Sequence, residues 1–171
     1  MLSIAALLSG FSRSIELWTG YLETYTLQQL QQQPAPGSWS LGQVYKHLIS
    51  DTEFYIAQMK TALATDKHSN EKMTPAAAAM FAANSFPDQQ LENPFNDIDL
   101  PQPTNKELLL QQLTAINETV HQLFCNAGRK GGKTRHPGFQ YFSAAEWLQF
   151  ADMHLRHHLR QKERIDAMIS T

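Results

Sequence analysis

The stretch Ser143-Ala144-Ala145-Glu146-Trp147-Leu148-Gln149-Phe150-Ala151-Asp152-Met153-His154-Leu155-Arg156-His157-His158-Leu159-Arg160-Gln161 decides the fold. Ser143 and Glu146 stand at the spacing where a hydroxyl and a carboxylate cap the first turn of a helix reciprocally. Trp147, Phe150, His154, His158, Gln161 and Ile165 then recur every three or four residues, the period of one helix face. No proline or glycine interrupts the pattern. On such a helix His154 and His158 lie one turn apart and turn the same way, so both imidazoles can reach one ion. A third ligand from another helix would leave coordination positions open for water or substrate, as in reactive rather than closed structural sites.

A second block, Trp39-Ser40-Leu41-Gly42-Gln43-Val44-Tyr45-Lys46-His47-Leu48, supplies that helix. Ser40 and Gln43 have capping-box spacing, and Val44, His47, Leu48, Asp51, Tyr55 and Met59 continue at helical intervals to about Thr65. Upstream, Phe11, Ile15, Trp18, Leu22, Tyr25 and Leu30 predict an amphipathic helix over about residues 10–32, ended by Pro34 and Pro36. The apolar opening from Met1 to Gly10 reads as the start of a packed helix. Downstream, Thr104 and Glu107 open a further helix through Leu109, Leu113, Ile116, Val120 and Leu123, ending at Gly128. The connection from about Asp66 to Pro103 holds five prolines around an alanine-rich run and reads as a crossover with one short helix. No β-like alternation of useful length and no repeat of 20 to 50 residues is evident. The expected fold is all-α: a four-helix bundle with a long crossover between the second and third long helices, one domain over residues 1–171. Bundles of this kind build metal sites from facing side chains in their cores.

A chain of 171 residues that is 42% hydrophobic can bury a real core. With 14 basic and 16 acidic residues the net charge is only -2, so no broad field favours nucleic acid or an anionic membrane. The opening residues lack the basic segment of a secretory leader. No apolar run approaches the roughly 18 residues of a spanning helix. The sole cysteine, Cys125, excludes an internal disulfide framework and reads as an inert packing residue. These features together predict a soluble cytoplasmic protein. The segment Arg129-Lys130-Gly131-Gly132-Lys133-Thr134 lacks the glycine-lysine spacing of a phosphate loop and reads as a solvated turn.

Neutral imidazole suits zinc, nickel, copper and iron(II), and three unpartnered imidazoles buried in a bundle would be costly. His47, His154 and His158 are therefore the candidate ligands. Without a metal they would be hydrogen-bonded core or boundary residues. His157, about 100° round the helix from His158, is expected to face away, at a surface or interface. His68, His121 and His136 lack spacing partners and read as exposed or locally hydrogen-bonded, with His136 placed to border a pocket mouth. Asp51 follows His47 by four residues and Gln161 follows His158 by three, so either can brace a ligand, and Asp51 can instead serve as acid or base. Trp39, Tyr55, Trp147 and Phe150 are candidate pocket walls or ordinary core.

These two blocks resemble the DinB/YfiT-like superfamily of four-helix metal proteins: Trp39-Ser40 through His47-Leu48 is similar to its first histidine motif, and His154 through Gln161 to its H-x-x-x-H element followed by glutamine. His136-Pro137-Gly138-Phe139 through Glu146-Trp147-Leu148 is similar to a branch often left as a domain of unknown function. The resemblance implies a divalent metal, zinc or nickel, on His47, His154 and His158. It also implies a homodimer and, in some relatives, transfer chemistry that uses a low-molecular-weight thiol on a small-molecule substrate. It identifies no substrate or thiol pocket in this chain. A thiol-dependent S-transferase acting on small electrophiles, a metal-dependent hydrolase, a non-catalytic metal- or ligand-binding helical dimer and a metal-free interaction protein all fit the residues.

Overall fold

Two short serine-led sequences fix where the histidine-bearing helices begin. In a computed structural model, which describes residues 2–87, 100–126 and 130–169, Ser40 accepts from the Gln43 amide while the Gln43 side chain accepts from the Ser40 amide, opening a helix over Leu41–Leu63. Ser143 and Glu146 exchange the same pair of bonds, 2.7 and 3.3 Å long, at the head of a helix over Ala144–Ile169. Each cap contributes about 1 kcal/mol and stops the helix from starting elsewhere.

In chain order the described residues form α1 (Ile4–Thr24), α2 (Leu27–Gln31), α3 (Leu41–Leu63), α4 (Pro75–Ala83), α5 (Lys106–Cys125), β1 (Lys133–His136), β2 (Gln140–Ser143) and α6 (Ala144–Ile169). The four long helices make the expected bundle, α1 and α3 each packing against both α5 and α6. Among the described residues no helix is long and apolar enough to cross a membrane.

Several boundaries differ from expectation. The first helix starts at Ile4, capped by Ser3, and ends at Thr24, well before Pro34. Thr26 and Gln29 form their own capping box and start α2 afresh. The local bonds win over helical continuation, as Ser, Thr and Asn side chains commonly manage near helix ends. Asn105, not Thr104, caps α5 by accepting from the Leu108 amide. The expected end at Gly128 lies outside the described residues. The crossover does carry one short helix, α4, capped by Thr74 with Pro75 in its first turn and closed by Asn84 at φ 50. The hairpin was not expected. Its antiparallel pairs run from Lys133↔Ser143 to His136↔Gln140, and Gln140 takes φ 67 after the turn. Strands of four residues, one reading Lys-Thr-Arg-His, are too short and polar for alternation to reveal.

The helices are locked together at the level of the site by a buried tryptophan. Trp18 of α1 donates its Nε1–H to the Leu155 carbonyl at 3.1 Å, and its own carbonyl accepts from the Tyr45 hydroxyl at 2.8 Å. The two rings meet edge-on, with centroids 5.0 Å apart. Both are fully buried, so these polar groups need the partners they have. Tyr45 is two residues before His47 on α3, and Leu155 immediately follows His154 on α6. At the head of α3, a Cβ on Gly42 would lie 2.5 Å from Pro103 Cγ and 2.8 Å from the Leu30 carbonyl oxygen. Only glycine lets α2 and the returning crossover pass so close.

Candidate metal centre

His47 sits in the second turn of α3 and faces His154 and His158 across the α3–α6 interface. The three ring centroids are 5.1, 4.9 and 4.6 Å apart, and one nitrogen from each ring lies within 4.8 Å of the other two. The helical spacing and the separate block around Ser40 thus bring these three together.

The proton positions follow from the neighbours. His158 Nδ1 is 2.7 Å from Gln161 Oε1, an oxygen that can only accept, so that nitrogen carries the hydrogen and His158 Nε2 presents a lone pair. That lone pair points at His154 Nε2, 3.1 Å away, while His154 Nδ1 is buried with no partner among the described residues. If His154 donates through Nε2, a bare acceptor is stranded at Nδ1. If it carries its hydrogen on Nδ1, two lone pairs meet head-on. Neither tautomer satisfies both rings. Burial holds all three rings neutral: it drives His154 well below its ordinary range with the neighbouring histidines adding to the effect. It lowers His158 to about 3, with His47 adding to the fall and the Gln161 bond opposing it. It also lowers His47 against the opposing pull of Asp51.

Asp51 is where the helical spacing predicts. Its Oδ1 lies 3.6 Å from His47 Nδ1 and its Oδ2 lies 3.7 Å from His154 Nε2, and it accepts from the Tyr55 hydroxyl at 3.3 Å. Burial raises its carboxyl above the ordinary range, and His47 and Tyr55 partly oppose that. A third of the side chain remains open to solvent (33%). Trp39 tilts against His47 at 5.2 Å, and Tyr55 stands edge-on to His154 at 5.7 Å. Trp147 reaches this cluster through Tyr55, and Phe150 through both Tyr55 and Phe86. They surround His136 instead, at 5.4 and 5.0 Å. His136 accepts the Gly138 amide on Nδ1, and burial lowers it to about 4.

Two expectations about individual residues are corrected here. His157 is partly buried, 5.4 Å from both Phe86 and His158 by ring centroid, because Phe86 covers that side of α6. Cys125 is exposed rather than packed, being the last residue of α5. His121 reaches across to α1, 2.7 Å from the Ser12 hydroxyl, while His68 is exposed and stacked on Tyr141. Lys130 to Thr134 is not a free turn. Gly132 and Lys133 bond to the chain beyond α3, and β1 begins at Lys133.

Phe86, whose ring is 6.2 Å from His154, is the neighbour that sequence reading missed. It is held by a clamp: Arg156 grips Asp152 Oδ2 through Nε and Nη2 at 3.1 and 3.0 Å and donates from Nη1 to the Asn84 carbonyl at 2.9 Å. Ser14 fixes the other Asp152 oxygen at 2.6 Å. The four-residue spacing of Asp152 and Arg156 was the visible signal for that clamp.

The donor set fits a divalent ion. Nitrogens held tetrahedrally at roughly 2.0–2.1 Å from zinc lie about 3.3 Å apart, close to the His154–His158 separation. A cation between the rings would satisfy two converging lone pairs at once.

A family model described as the DinB superfamily matches residues 11–161. No curated protein matches the chain.

Proposed function

Starting from the chain's membership of the DinB superfamily, shown by that match, we propose a metal-dependent enzyme that transfers a small thiol to an electrophilic small molecule. His47, His154 and His158 hold one divalent cation, zinc or nickel, with positions left for ligands from solution. The observation that carries this reading is the 3.1 Å approach of two imidazole nitrogens with no shared proton that satisfies both rings. When bound, such an ion lowers the pKa of a thiol or water so that a nucleophile exists near neutral pH.

The chain's own groups divide the remaining work. Gln161 fixes the tautomer of His158, keeping Nε2 directed at the ion. Asp51 faces both His47 and His154 and reaches solvent, so it can take the proton released by the incoming nucleophile and pass it outward. Trp39, Tyr55 and Phe86 give the cluster apolar walls that exclude bulk water and suit an uncharged substrate.

The test is metal content followed by a thiol panel. Untagged protein reconstituted with zinc or nickel should hold about one equivalent, and His158→Ala should hold far less. Less than about a tenth of an equivalent in the parent would reject the reading. Turnover of an electrophile only when a thiol is present supports transfer. Turnover in water alone moves the assignment to hydrolysis, for which the placement of Asp51 is equally suited.

A further inference from the structure

Away from the histidines, an open cleft of about 680 Å³ lies between the end of α3, the segment after it and the hairpin, and Lys60, Lys67, Lys133 and Arg135 line it with His68 and Tyr141. The chain carries a net charge of -2, yet among the described residues no acidic side chain lines this cleft. Among the described residues none of its four cations is paired with a carboxylate. Asp66 accepts the Gly131 amide, and Lys133 donates to the Glu71 backbone carbonyl. Four like charges lining one cleft with no carboxylate in contact repel one another, and an anion among them relieves that repulsion.

The arrangement is built by backbone. Lys133 and Arg135 alternate onto one face of β1, where Arg135 is paired with Tyr141. The hairpin entry is tied to the chain beyond α3 by Gly132 N–H to Thr65 O and Lys133 N–H to Lys67 O, both 2.9 Å. A Cβ on Gly132 would sit 2.3 Å from that Thr65 oxygen, so the approach requires glycine. Lys130 adds a third tie by donating to the Ala64 carbonyl just past the end of α3. His68 adopts a left-handed φ of 59, costly for a residue with a side chain, and its ring lies 4.8 Å from Tyr141 at an interplanar angle of 28°.

We propose that this cleft binds a small multivalent anion bearing a flat ring, of the class of a nucleoside phosphate. The phosphates sit among Lys60, Lys67, Lys133 and Arg135, and the ring lies against the Tyr141–His68 stack. Recognition is by side chains, since the sequence has no phosphate loop, and it is independent of the metal centre.

The experiment is calorimetric titration of the full chain, stripped with chelator, with pyrophosphate, adenosine, AMP and ATP in turn. Affinity should rise with phosphate number, adenosine alone should not bind, and added salt should weaken every interaction. Arg135→Glu and Lys60→Glu, both on exposed side chains, should each weaken ATP about tenfold at unchanged melting temperature. Tyr141→Ala should weaken ATP and leave pyrophosphate alone, while His154→Ala should bind all of them as the parent does. No saturable binding up to about 10 mM, or parental affinity in both charge reversals, overturns the proposal. Loss of binding in His154→Ala also overturns it, by moving the anion to the histidines. Equal affinity for ATP and a ring-free polyphosphate removes the ring from the assignment.

Discussion

Two buried polar clusters lie on neighbouring turns of α6, and they are finished to different degrees. At the C-terminal one, Lys162 Nζ meets Asp166 Oδ2 at 2.7 Å and stands 3.7 Å over the Tyr21 ring. The Tyr25 hydroxyl bonds to Asp166 at 2.7 and 2.9 Å. Every charge there has its complement, and although burial pulls the Lys162 ammonium down, Asp166 and Tyr25 together raise it above its ordinary value. Two turns before Lys162, His154 has one buried nitrogen with no partner among the described residues and another 3.1 Å from His158 Nε2. A cluster that serves only to hold helices together closes on itself. Among the described residues nothing completes the histidine cluster in that way.

Breaking the open cluster has the largest expected effect. His154→Ala should weaken zinc or nickel by more than about a hundredfold in a competitive chelator titration, beyond the 10–100-fold typical of lost supporting contacts. Parental affinity in that variant would end the distinction between the two clusters. Breaking the closed cluster should act on stability instead. Lys162→Met is expected to cost about 1–3 kcal/mol in denaturant unfolding and to leave metal affinity within about twofold. A large loss of metal in Lys162→Met would show the clusters to be one unit.

Acidity separates the two regions by sign. An unfolded histidine takes up its proton as pH falls through about 6.5. In the fold His158 stays neutral down to about 3 and His136 to about 4. Stability is therefore fully present above about 6.5 and is lost on acidification, by up to about 1.4 kcal/mol per pH unit and group before solvent screening. The raised Lys162 works in the opposite range: its contribution is present at neutral pH and disappears only as alkali strips the ammonium. Melting temperature should drop between pH 7 and 5 in the metal-free chain. A flat profile over that range contradicts the burial of these rings. The smallest effect belongs to Gln161→Leu, which frees the His158 tautomer and should weaken metal about tenfold; an unchanged affinity would mean that Gln161 is a bystander.

The contrast also sorts what was legible in the sequence. Ser40 with Gln43, Ser143 with Glu146, and the four-residue step from His154 to His158 are local rules, and each is met. Asp51 and Gln161 were legible for the same reason, being three or four residues from a histidine. Phe86 was not, since it comes to His154 and His157 from a proline-rich crossover whose path depends on the Arg156–Asn84 clamp. The split at Tyr25 was hidden because apolar spacing runs through it, while the Thr26–Gln29 box decides the local backbone. The hairpin escaped notice because its register rests on backbone contacts with residues 65–67 and 73–74. Such contacts leave no periodic trace.

The tryptophan of α1 has a consequence for how the molecule can be cut or fused. A helix sliding by one residue against its neighbour moves each side chain about 1.5 Å along the axis and about 100° around it, enough to part His154 from His47. The indole N–H of Trp18 on Leu155 and its carbonyl under the Tyr45 hydroxyl act as a detent against that slide, although α1 contributes no imidazole. A version lacking the first two dozen residues could stay helical and still have its three rings out of step.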